Sequence, residues 1–472
     1  MTPQPGARLH VVVVADSDTE NDQTRHDLVI QLHWMLHNNP DVATCAVLCV
    51  ARNGAPSVGP TSDACAQQFL MDRRLVSTAT CGGALRATLE EIYQKGDFAV
   101  VVRVECADGA EDGVGPVERV AMSYGFEHLS VDCLPGDDAL RVVVHVASRL
   151  TRILTACVDG RGRRGVTLVA TSRKRLVQLS PHLPLSRYLL FDVECGMDSH
   201  VLHEDESGPI PGCVSGALVK ASDFMLRMDT GDEDHHTLVP VFSPEFERFR
   251  LLTASREIPW DDSLASMRPV FDRSSMAALM ESIATASNER DIGLRIATPR
   301  SWPILGCDSD VSDLVYPCLI KTRVACGIPE SHQMALVLRE EGMIECEMEG
   351  QLVAQEYLNH GGVLFKVYVG RDGHAVEHRP SLPDIRTVTE DMPSIIEFDS
   401  LYGLPTRLPW VSSGADEPAL VPDEEVFAEL VAVARDVVRL TVFGFDVVRR
   451  GNDLIVIDIN YLPRLFCGAL GE

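Results

Sequence analysis

Residues 443–460 (FGFDVVRRGNDLIVIDIN) carry three oxygen-bearing side chains within an otherwise apolar pattern. Two apolar runs flank the sequence RRGND, and because Gly and Asn tolerate the positive φ of a tight turn, the pattern predicts a β-hairpin. Asp446 falls on the first arm, whereas Asp458 and Asn460 are two residues apart and share one face of the second arm. Carboxylate and amide oxygens are ligands that Mg²⁺ accepts. We therefore predict a Mg²⁺ site at Asp446, Asp458 and Asn460.

The alternative interpretation is that these three residues are polar positions on a solvated strand face. Residues 454–457 (LIVI) form a continuous apolar run, which is typical of a covered strand. A carboxylate buried beside such a run is costly without a partner. The pattern favours the metal site and leaves the solvated face open.

Two lysines lie in predicted strands at positions where an apolar residue is expected. Lys321 ends the run at 318–321 (CLIK), and Lys366 lies inside the run at 363–369 (VLFKVYV). A lysine inside an apolar strand must reach the strand edge or meet an anion. Gly361 and Gly362 precede the second run and permit a flexible loop, which suits a nucleotide phosphate site built by positioning and charge. Either lysine alone would also suit the surface, but together with the acidic hairpin they predict a nucleotide-plus-metal site.

The elements that must position these residues follow from hydrophobic periodicity and turn residues. Asp272 is a predicted N-cap of a helix whose buried stripe includes Met276, Met280 and Ile283. A basic cluster at 172–175 (SRKR) would by itself indicate a solvated turn. Residues 297–303 contain two prolines, and we predict that they link two structural units. We predict further strands at 166–170, 217–219 and 351–358, and helices at 334–341 and 422–440.

The first part of the chain alternates strand-like and helix-like segments, which predicts an α/β layer with a parallel sheet. The Gly- and Arg-rich segment 158–165 (VDGRGRRG) is the clearest change in composition, and we place a domain boundary there. The division is then a non-catalytic α/β domain at 1–160 and two further domains at 165–300 and 301–472. The predicted strands of the first domain are 9–14, 45–50 and 98–104, and its predicted helices 28–36, 84–93 and 140–156.

Asp16, Ser17 and Asp18 follow the first predicted strand and resemble the DxD motif of haloacid-dehalogenase-like phosphatases, in which the first Asp is the nucleophile. That motif places Thr four residues after the first Asp, where this chain has Glu20. An acidic turn after a strand is the simpler interpretation because Asp is common in turns. We expect this domain to be catalytically silent.

Composition limits the classes of partner. The chain has 472 residues and a formal net charge of −27, which argues against nucleic-acid binding and against a membrane surface. Its 14 cysteines include no CxxC pair, which suits a reducing compartment. We expect no secretory signal, no membrane span, a monomer, and a cytoplasmic location with the nucleus as a second possibility. Any site for a polyanion must be locally basic.

Several segments together resemble the inositol 1,3,4-trisphosphate 5/6-kinase family, also called inositol-tetrakisphosphate 1-kinases, whose members are ATP-grasp kinases. NYLP at 460–463, together with the region before residue 165, resembles a longer plant-type branch with an extra N-terminal domain. The segments are LVKASD at 218–223, FDRSSM at 271–276, IKTRVACG at 320–327, SHQMALV at 331–337, QEYLNH at 355–360, VLFKVYV at 363–369, RPSL at 379–382, GFDVV at 444–448 and IDIN at 457–460.

The resemblance implies an α/β and α+β multidomain protein, in which an ATP-grasp kinase follows a Rossmann-like or haloacid-dehalogenase-like α/β domain. It implies that the substrate-binding residues are Lys174, Lys220, His332, Lys366 and Asn460. It also implies that His332, Lys366 and Arg379 lie between ATP and the inositol phosphate as catalytic residues. It places Asp446, Asp458 and Asn460 at Mg²⁺. The implied ATP-binding residues are Arg273, Lys321, Gln355, Glu356, Leu358, Ser381 and Ser400, with residues 355–358 beside the adenine.

The implied reaction is Mg²⁺-dependent transfer of the ATP γ-phosphoryl group to a hydroxyl of an inositol tris- or tetrakisphosphate. Two other functions stay open: an inositol phosphate sensor with weak or no activity, and an ATP-grasp ligase that joins a carboxylate to an amine. Lys174, Lys220 and Lys366 favour a polyphosphate over a simple carboxylate. Arg464 stands where many members have glycine, so we expect it to affect the preferred isomer.

Overall fold

The computed structural model describes residues 165–179, 187–193, 214–231, 238–290, 292–304, 312–371, 373–385, 387–404 and 422–463. Before residue 165 it describes mainly residues 9–16, 42–51, 73–95, 98–106 and 127–133, with a few isolated positions. The chain forms two compact units. The first comprises Met1–Val219 and Arg248–Trp260, and the second comprises Lys220–Glu247 and Asp261–Glu472.

The first unit contains a parallel five-stranded sheet in the order β3-β2-β1-β4-β5. Val11, Val12 and Val13 in the middle strand are fully buried, as expected for a parallel sheet covered on both faces. The predicted α/β layer with a parallel sheet is therefore confirmed for the described residues. The elements are β1 (Leu9–Asp16), β2 (Val42–Ala51), β3 (Arg73–Ser77), helix α1 (Thr78–Gln94), β4 (Phe98–Cys106) and β5 (Glu127–Cys133).

Other predictions for this region fall largely outside the described residues. Leu32, Met35 and Leu36 are helical and buried, as are Val143 and Val146, but the rest of the predicted helices at 28–36 and 140–156 is not described. Strand β1 ends at Asp16, and the motif residues that follow it lie outside the described residues, as do the boundary residues 158–164. The three-domain division stays a prediction.

A second, three-stranded parallel sheet of the first unit has the order β7-β6-β8. Its strands are β6 (Val166–Ala170), β7 (Tyr188–Leu190) and β8 (Val214–Val219), which confirms the strands predicted at 166–170 and 217–219. Three residues of the basic cluster at 172–175 lie in a helix and not in a solvated turn, because Arg173 begins helix α2 (Arg173–Leu179). The Arg173 guanidinium lies 2.7 Å from the Asp192 carboxylate, which holds the start of the helix.

The second unit begins with a hairpin of β9 (Met225–Thr230) and β10 (Leu238–Phe242). Helix α3 (Pro244–Ser255) follows along the chain, and its residues from Arg248 onward belong to the first unit. The second unit resumes at Asp261 with the short helix α4 (Leu264–Met267) and the long helix α5 (Arg273–Arg290). Asp272 accepts a hydrogen bond from the Ser274 amide, which confirms the predicted N-cap. Met276, Met280 and Ile283 are buried as predicted.

One mixed sheet of the second unit has the order β11-β20-β19-β16-β17. The predicted hairpin is confirmed: β19 and β20 are antiparallel, and Gly451 occupies the turn with φ +60°. Helix α7, which precedes the hairpin, contacts helix α5. The elements are β11 (Arg295–Ala297), β16 (Val363–Val369), β17 (His374–Pro380), α7 (Glu424–Val438), β19 (Phe443–Arg450) and β20 (Asp453–Tyr461).

An antiparallel sheet completes the second unit, in the order β12-β15-β13-β14-β18. Its core contains Cys318, Ile320, Ala335, Val337 and Ala354, all of them fully buried. The strands are β12 (Ser301–Ile304), β13 (Cys318–Thr322), β14 (Gln333–Val337), β15 (Leu352–Glu356) and β18 (Ile395–Asp399), and helix α6 (Glu341–Glu345) lies between β14 and β15.

Two predictions here are wrong. The helix predicted at 334–341 is strand β14, because Ala335, Leu336 and Val337 form a short apolar run that is buried between two neighbouring strands. The link predicted at 297–303 includes strand β12, which tolerates Pro303 because β12 is an edge strand. Within the part of the chain that the structure describes, no helix is long and apolar enough to cross a membrane.

Candidate active site

A cavity of about 760 Å³ lies in the second unit and is lined from both of its five-stranded sheets. Most of the residues predicted to form the site line this cavity. They are Arg273, Lys321, His332, Gln355, Glu356, Leu358, Lys366, Arg379, Ser381, Ser400, Asp446, Asp458 and Asn460. Four cationic side chains face three carboxylates there, so the cavity is locally basic in a chain whose net charge is −27.

A β-bulge shapes the acidic hairpin. Asp446 on β19 pairs with Asp458 on β20, and the register shifts immediately afterwards so that Val447 pairs with Val456. Ile457 is the extra residue, and both Ile457 and Asp458 line the cavity, although neighbours on a regular strand point to opposite faces. The bulge therefore adds an apolar contact beside the carboxylates.

Lys366 is the immediate partner of the first carboxylate. Its Nζ atom lies 2.9 Å from Asp446 Oδ1 and 3.3 Å from Oδ2. Burial and the neighbouring Asp458 together raise the pKa of Asp446 to about 6, against the opposing effect of Lys366. Asn460 Nδ2 donates to Asp458 Oδ2 over 2.9 Å, so the amide oxygen of Asn460 is turned away from that contact.

The hairpin residues fit a hard divalent cation. Two partly buried carboxylates lie opposite each other with an amide side chain alongside, and a buried pair of like charges is stabilised by a cation. Within the described residues, no group of three or more His, Cys, Asp and Glu side chains is suited to a metal ion. Any cation here would therefore depend on Asn460, water or substrate oxygens in addition to the two carboxylates.

Lys321 lies on β13, next to strand β15, which carries the predicted nucleotide-binding residues Gln355 and Glu356. Its Nζ atom donates to Gln355 Oε1 over 2.6 Å. Burial and the nearby Arg273 guanidinium together lower the pKa of Lys321 to about 8, against the opposing effects of Asp458 and Asp446. Lys321 is thus a buried cation that an anionic ligand would stabilise.

Arg273 organises the loop that follows β13. Its Nη1 atom donates to the carbonyl of Thr322 and, over 2.9 Å, to that of Val324, while Nη2 donates to the Ser331 carbonyl over 3.0 Å. Burial lowers the pKa of Arg273, whereas Asp458 raises it. The guanidinium therefore fixes the loop backbone in addition to contributing charge to the cavity.

Sequence reasoning missed the buried pair of Asp272 and Arg323. Arg323 Nε and Nη2 lie 2.9 and 3.0 Å from the two carboxylate oxygens of Asp272, and both side chains are at most 6% exposed. Arg323 Nη1 also donates to Gln351 Oε1 over 2.8 Å. A basic residue in the loop TRVACG was visible in the sequence, but its partner is 51 residues away.

The end of β15 is held against the segment around residue 383. The Glu356 amide donates to the Arg300 carbonyl over 2.9 Å, and the Tyr357 hydroxyl donates to the Pro383 carbonyl. The ring of His360, which sequence reasoning also missed, contacts both the Leu358 carbonyl and the Ser381 hydroxyl. Its position in QEYLNH was the only sequence signal for it.

Arg379 and His332 occupy the cavity with local partners. Arg379 Nη2 donates to Tyr368 Oη over 3.0 Å and to Glu377 Oε2 over 2.8 Å. His332 Nδ1 lies 3.4 Å from Ser400 Oγ, and the Ser400 amide donates to the His332 carbonyl over 2.9 Å. His332 and Ser400 therefore lie next to each other in the cavity.

The two remaining predicted residues do not line this cavity. Lys220 donates to the Tyr461 carbonyl, at the end of the strand that carries Asn460, and lies 5.9 Å from the Tyr461 ring centroid. Lys174 belongs to the first unit and is exposed on helix α2. The substrate-binding roles of Lys174 and Lys220 stay predictions.

Residues 304–466 match the family model of the inositol 1,3,4-trisphosphate 5/6-kinase ATP-grasp domain. This part of the chain belongs to that family. The α/β architecture of the second unit, with its cavity between two sheets, is thus an ATP-grasp fold. The extra N-terminal domain stays a prediction, and Arg464 lies outside the described residues.

Inositol-tetrakisphosphate 1-kinases are also similar in sequence to this chain. The chain is 36% identical over 159 residues to inositol-tetrakisphosphate 1-kinase 1 of Zea mays, which covers 32% of this chain and 45% of the relative. It is 27% identical over 274 residues to inositol-tetrakisphosphate 1-kinase of Xenopus laevis, covering 55% of this chain and 64% of the relative. The chain thus spans about half the length of the plant relative and less than two thirds of the Xenopus one.

The solved structure of a RimK domain ATP-grasp protein from Sphaerobacter thermophilus also aligns with the chain. The alignment covers 64% of this chain and 95% of that one, at 14% identity. Its TM-score is 0.36, which is too low to support a conclusion about function.

Proposed function

We propose that this protein is an ATP-dependent kinase that transfers the γ-phosphoryl group of ATP to a hydroxyl of an inositol tris- or tetrakisphosphate. One observation carries the proposal. The cations Lys321, Lys366 and Arg379 and the carboxylates Asp446 and Asp458 line a single cavity in a domain of the matched family. Such a constellation serves phosphoryl transfer, which depends on positioning and on neutralising charge.

The cationic side chains would bind the phosphates. Lys321 and Arg273 are the proposed contacts of the ATP phosphates, and burial of Lys321 strengthens its attraction to an anion. Lys366, Arg379 and His332 would lie where the two substrates meet. Arginine offers a planar pair of donors to phosphate oxygens, whereas lysine acts as a compact charge.

The other side of the cavity suits a nucleobase. Gln355 and Glu356 end strand β15, and Leu358 follows two residues later. The apolar side chains of Leu319 and Phe398 line the same cavity. An apolar slot with a strand edge can hold the adenine ring by packing and by backbone hydrogen bonds. Ser381 and Ser400 would complete the nucleotide site.

Asp446, Asp458 and Asn460 would hold Mg²⁺. When bound, Mg²⁺ would neutralise charge on the ATP phosphates during the transfer. The proximity of Lys366 to Asp446 keeps that carboxylate from being an isolated buried charge. Asn460 orients Asp458 through its amide hydrogen bond.

The proposed transfer is in line and needs no covalent enzyme intermediate. The inositol hydroxyl oxygen forms a bond to the γ-phosphorus, the bond from that phosphorus to the β,γ-bridging oxygen breaks, and ADP leaves with the bonding electron pair. The hydroxyl proton is lost to solvent. Lys366, His332 and Arg379 would hold the hydroxyl and the γ-phosphate in line and stabilise the charge on the transferring group.

Lys174 and Lys220 are the proposed contacts of the inositol phosphates. If Lys220 binds substrate, Lys220→Ala should raise KM for the inositol phosphate far more than KM for ATP. If it serves only the Tyr461 carbonyl at the end of β20, both KM values should change together. Purified variants with both substrates varied would distinguish the two roles.

The function is tested by a turnover assay with Mg²⁺-ATP and a panel of inositol tris-, tetrakis- and pentakisphosphates, with the products separated by isomer. Conversion of one or a few isomers is the expected result. Tight inositol phosphate binding by calorimetry without conversion would instead favour a sensor. ATP hydrolysis that requires a carboxylate and an amine would favour a ligase.

A further inference from the structure

The ring of His360 lies between two groups at the edge of the cavity. His360 Nδ1 is 2.6 Å from the carbonyl oxygen of Leu358, and Nε2 is 2.8 Å from Ser381 Oγ. His360, Leu358 and Ser381 all line the cavity. Both ring nitrogens are therefore engaged at once, one by the carbonyl of Leu358, which follows β15, and one by a hydroxyl that lines the proposed nucleotide site.

The chemistry of these partners fixes the direction of both hydrogen bonds. A carbonyl oxygen only accepts, so Nδ1 of His360 must carry the hydrogen and donate to Leu358. In the neutral imidazole Nε2 then holds a lone pair and accepts. The Ser381 hydroxyl must therefore donate its single hydrogen to His360. Toward the cavity, Ser381 presents only oxygen lone pairs.

The backbone around the ring is held from both sides. Asp384 Oδ1 accepts the amides of His360 and Gly361 over 2.8 and 2.9 Å. The Ser381 amide donates to the Gly362 carbonyl over 2.8 Å. These backbone contacts fix the imidazole and the hydroxyl relative to each other. The hydrogen bond between them is therefore held in place by the fold.

We infer that His360 sets the hydrogen-bond polarity of Ser381 and so makes Ser381 an acceptor that selects a donor group of the nucleotide. The inference rests on the proposed nucleotide site. In ATP the phosphate oxygens and the adenine ring nitrogens accept, and the donors are the exocyclic amine of adenine and the two ribose hydroxyls. Ser381 thus recognises the nucleoside part of ATP, with His360 as its positioning residue.

The test is calorimetric binding of four Mg²⁺-nucleotides to the full chain: ATP, purine riboside triphosphate, which lacks the amine, 2′-deoxy-ATP and 3′-deoxy-ATP. The wild-type protein should bind one of the three analogues about 3- to 10-fold more weakly than ATP, as expected for loss of one hydrogen bond. The analogue that is penalised identifies the donor group. The Ser381→Ala variant should bind that analogue and ATP alike.

Two substitutions at position 360 separate this role from a structural one. His360→Gln places an amide oxygen that can accept from Ser381, whereas His360→Asn can donate to Leu358 but does not reach Ser381. Discrimination should persist in His360→Gln and disappear in His360→Asn. A purely structural role would change the affinity for all four nucleotides equally in both variants.

Two other outcomes overturn the inference. If the wild-type protein binds ATP but discriminates against none of the analogues, or if all variants discriminate equally, the acceptor role is wrong while the proposed function stands. If the wild-type protein does not bind Mg²⁺-ATP, the proposed function fails and this inference fails with it.

Discussion

Lys366 Nζ lies 2.9 Å from Asp446 Oδ1, and the two residues are direct register partners on β16 and β19. The side chains share one face of the sheet and both line the cavity. A lysine that would otherwise be isolated in an apolar strand thus neutralises a carboxylate predicted to bind Mg²⁺. The cationic and acidic halves of the site are joined at this pair.

The first prediction concerns the charge of Lys366. Lys366→Met keeps most of the side-chain volume and removes the ammonium, so kcat/KM for phosphoryl transfer should fall by about 100-fold or more. Lys95→Met, which removes an exposed lysine on the surface of the first unit, should leave kcat/KM unchanged. Steady-state kinetics on both purified variants checks this, and equal activities would argue against a role for Lys366 in the transfer.

The second prediction concerns pH. Burial lowers the pKa of Lys321 to about 8, so its ammonium is present below that pH and is lost as the pH rises through it. An anionic phosphate binds the protonated form, and ATP affinity should therefore decline between about pH 7.5 and 9.5, by at most about tenfold per pH unit. Lys321→Arg should remove this slope because arginine stays charged. Calorimetric Kd values that do not change with pH in the wild-type protein would contradict the assignment.

The third prediction concerns the buried pair of Asp272 and Arg323. Arg323→Met leaves a carboxylate that is only 6% exposed without its cationic partner, which should lower the free energy of unfolding by about 3 kcal/mol or more. Arg290→Ala is the matched control, since its partner Asp436 is 67% exposed, and should cost less than about 1 kcal/mol. Urea unfolding measures both variants. Similar losses would show that the buried pair adds little to stability.

The fourth prediction concerns the loop that Arg273 holds. Gly327 has φ +86°, and a Cβ atom there would lie 2.6 Å from the backbone oxygen of Ser222. Gly350 has φ +89°, but a Cβ atom there would meet nothing within 4 Å. Gly350→Ala should therefore lower the free energy of unfolding by about 1 to 2 kcal/mol, which is the cost of placing alanine in the left-handed conformation. Gly327→Ala should lower the free energy of unfolding by more than this, because the added methyl group would displace the loop from Ser222. The displaced loop should also lower kcat/KM. Unfolding and kinetics of the two variants test the difference, and equal effects would show that the loop accommodates the methyl group.

Sequence patterns predicted those parts of the site that depend on residues close to one another in the chain. The hairpin follows from two apolar runs around Gly451, and Lys321 and Lys366 stood out as charges in apolar strands. The resemblance then supplied residues such as Ser381 and Ser400, whose types alone carry little information. Their presence in one cavity agrees with that resemblance.

The rest depends on contacts between distant parts of the chain. Strand β14 was mistaken for a helix because a short apolar run fits either element, and only its two neighbouring strands decide between them. The bulge at Ile457 could not be predicted, because Ile457 fits the apolar pattern of the strand as well as its neighbours do. Arg323 and His360 find partners 51 and 21 residues away, respectively, so their roles became visible only in the folded chain.

The most direct test of the account is the turnover of Asp458→Ala with Mg²⁺-ATP and an inositol phosphate that the wild-type protein converts. Asp458 faces Asp446 across the hairpin, so its loss should lower kcat by at least about 100-fold. The unfolding temperature should not fall, because a buried repulsion between carboxylates is relieved. Asp436→Ala, an exposed carboxylate, should keep full activity. Turnover of Asp458→Ala close to that of the wild-type protein would contradict the proposed role of the acidic hairpin.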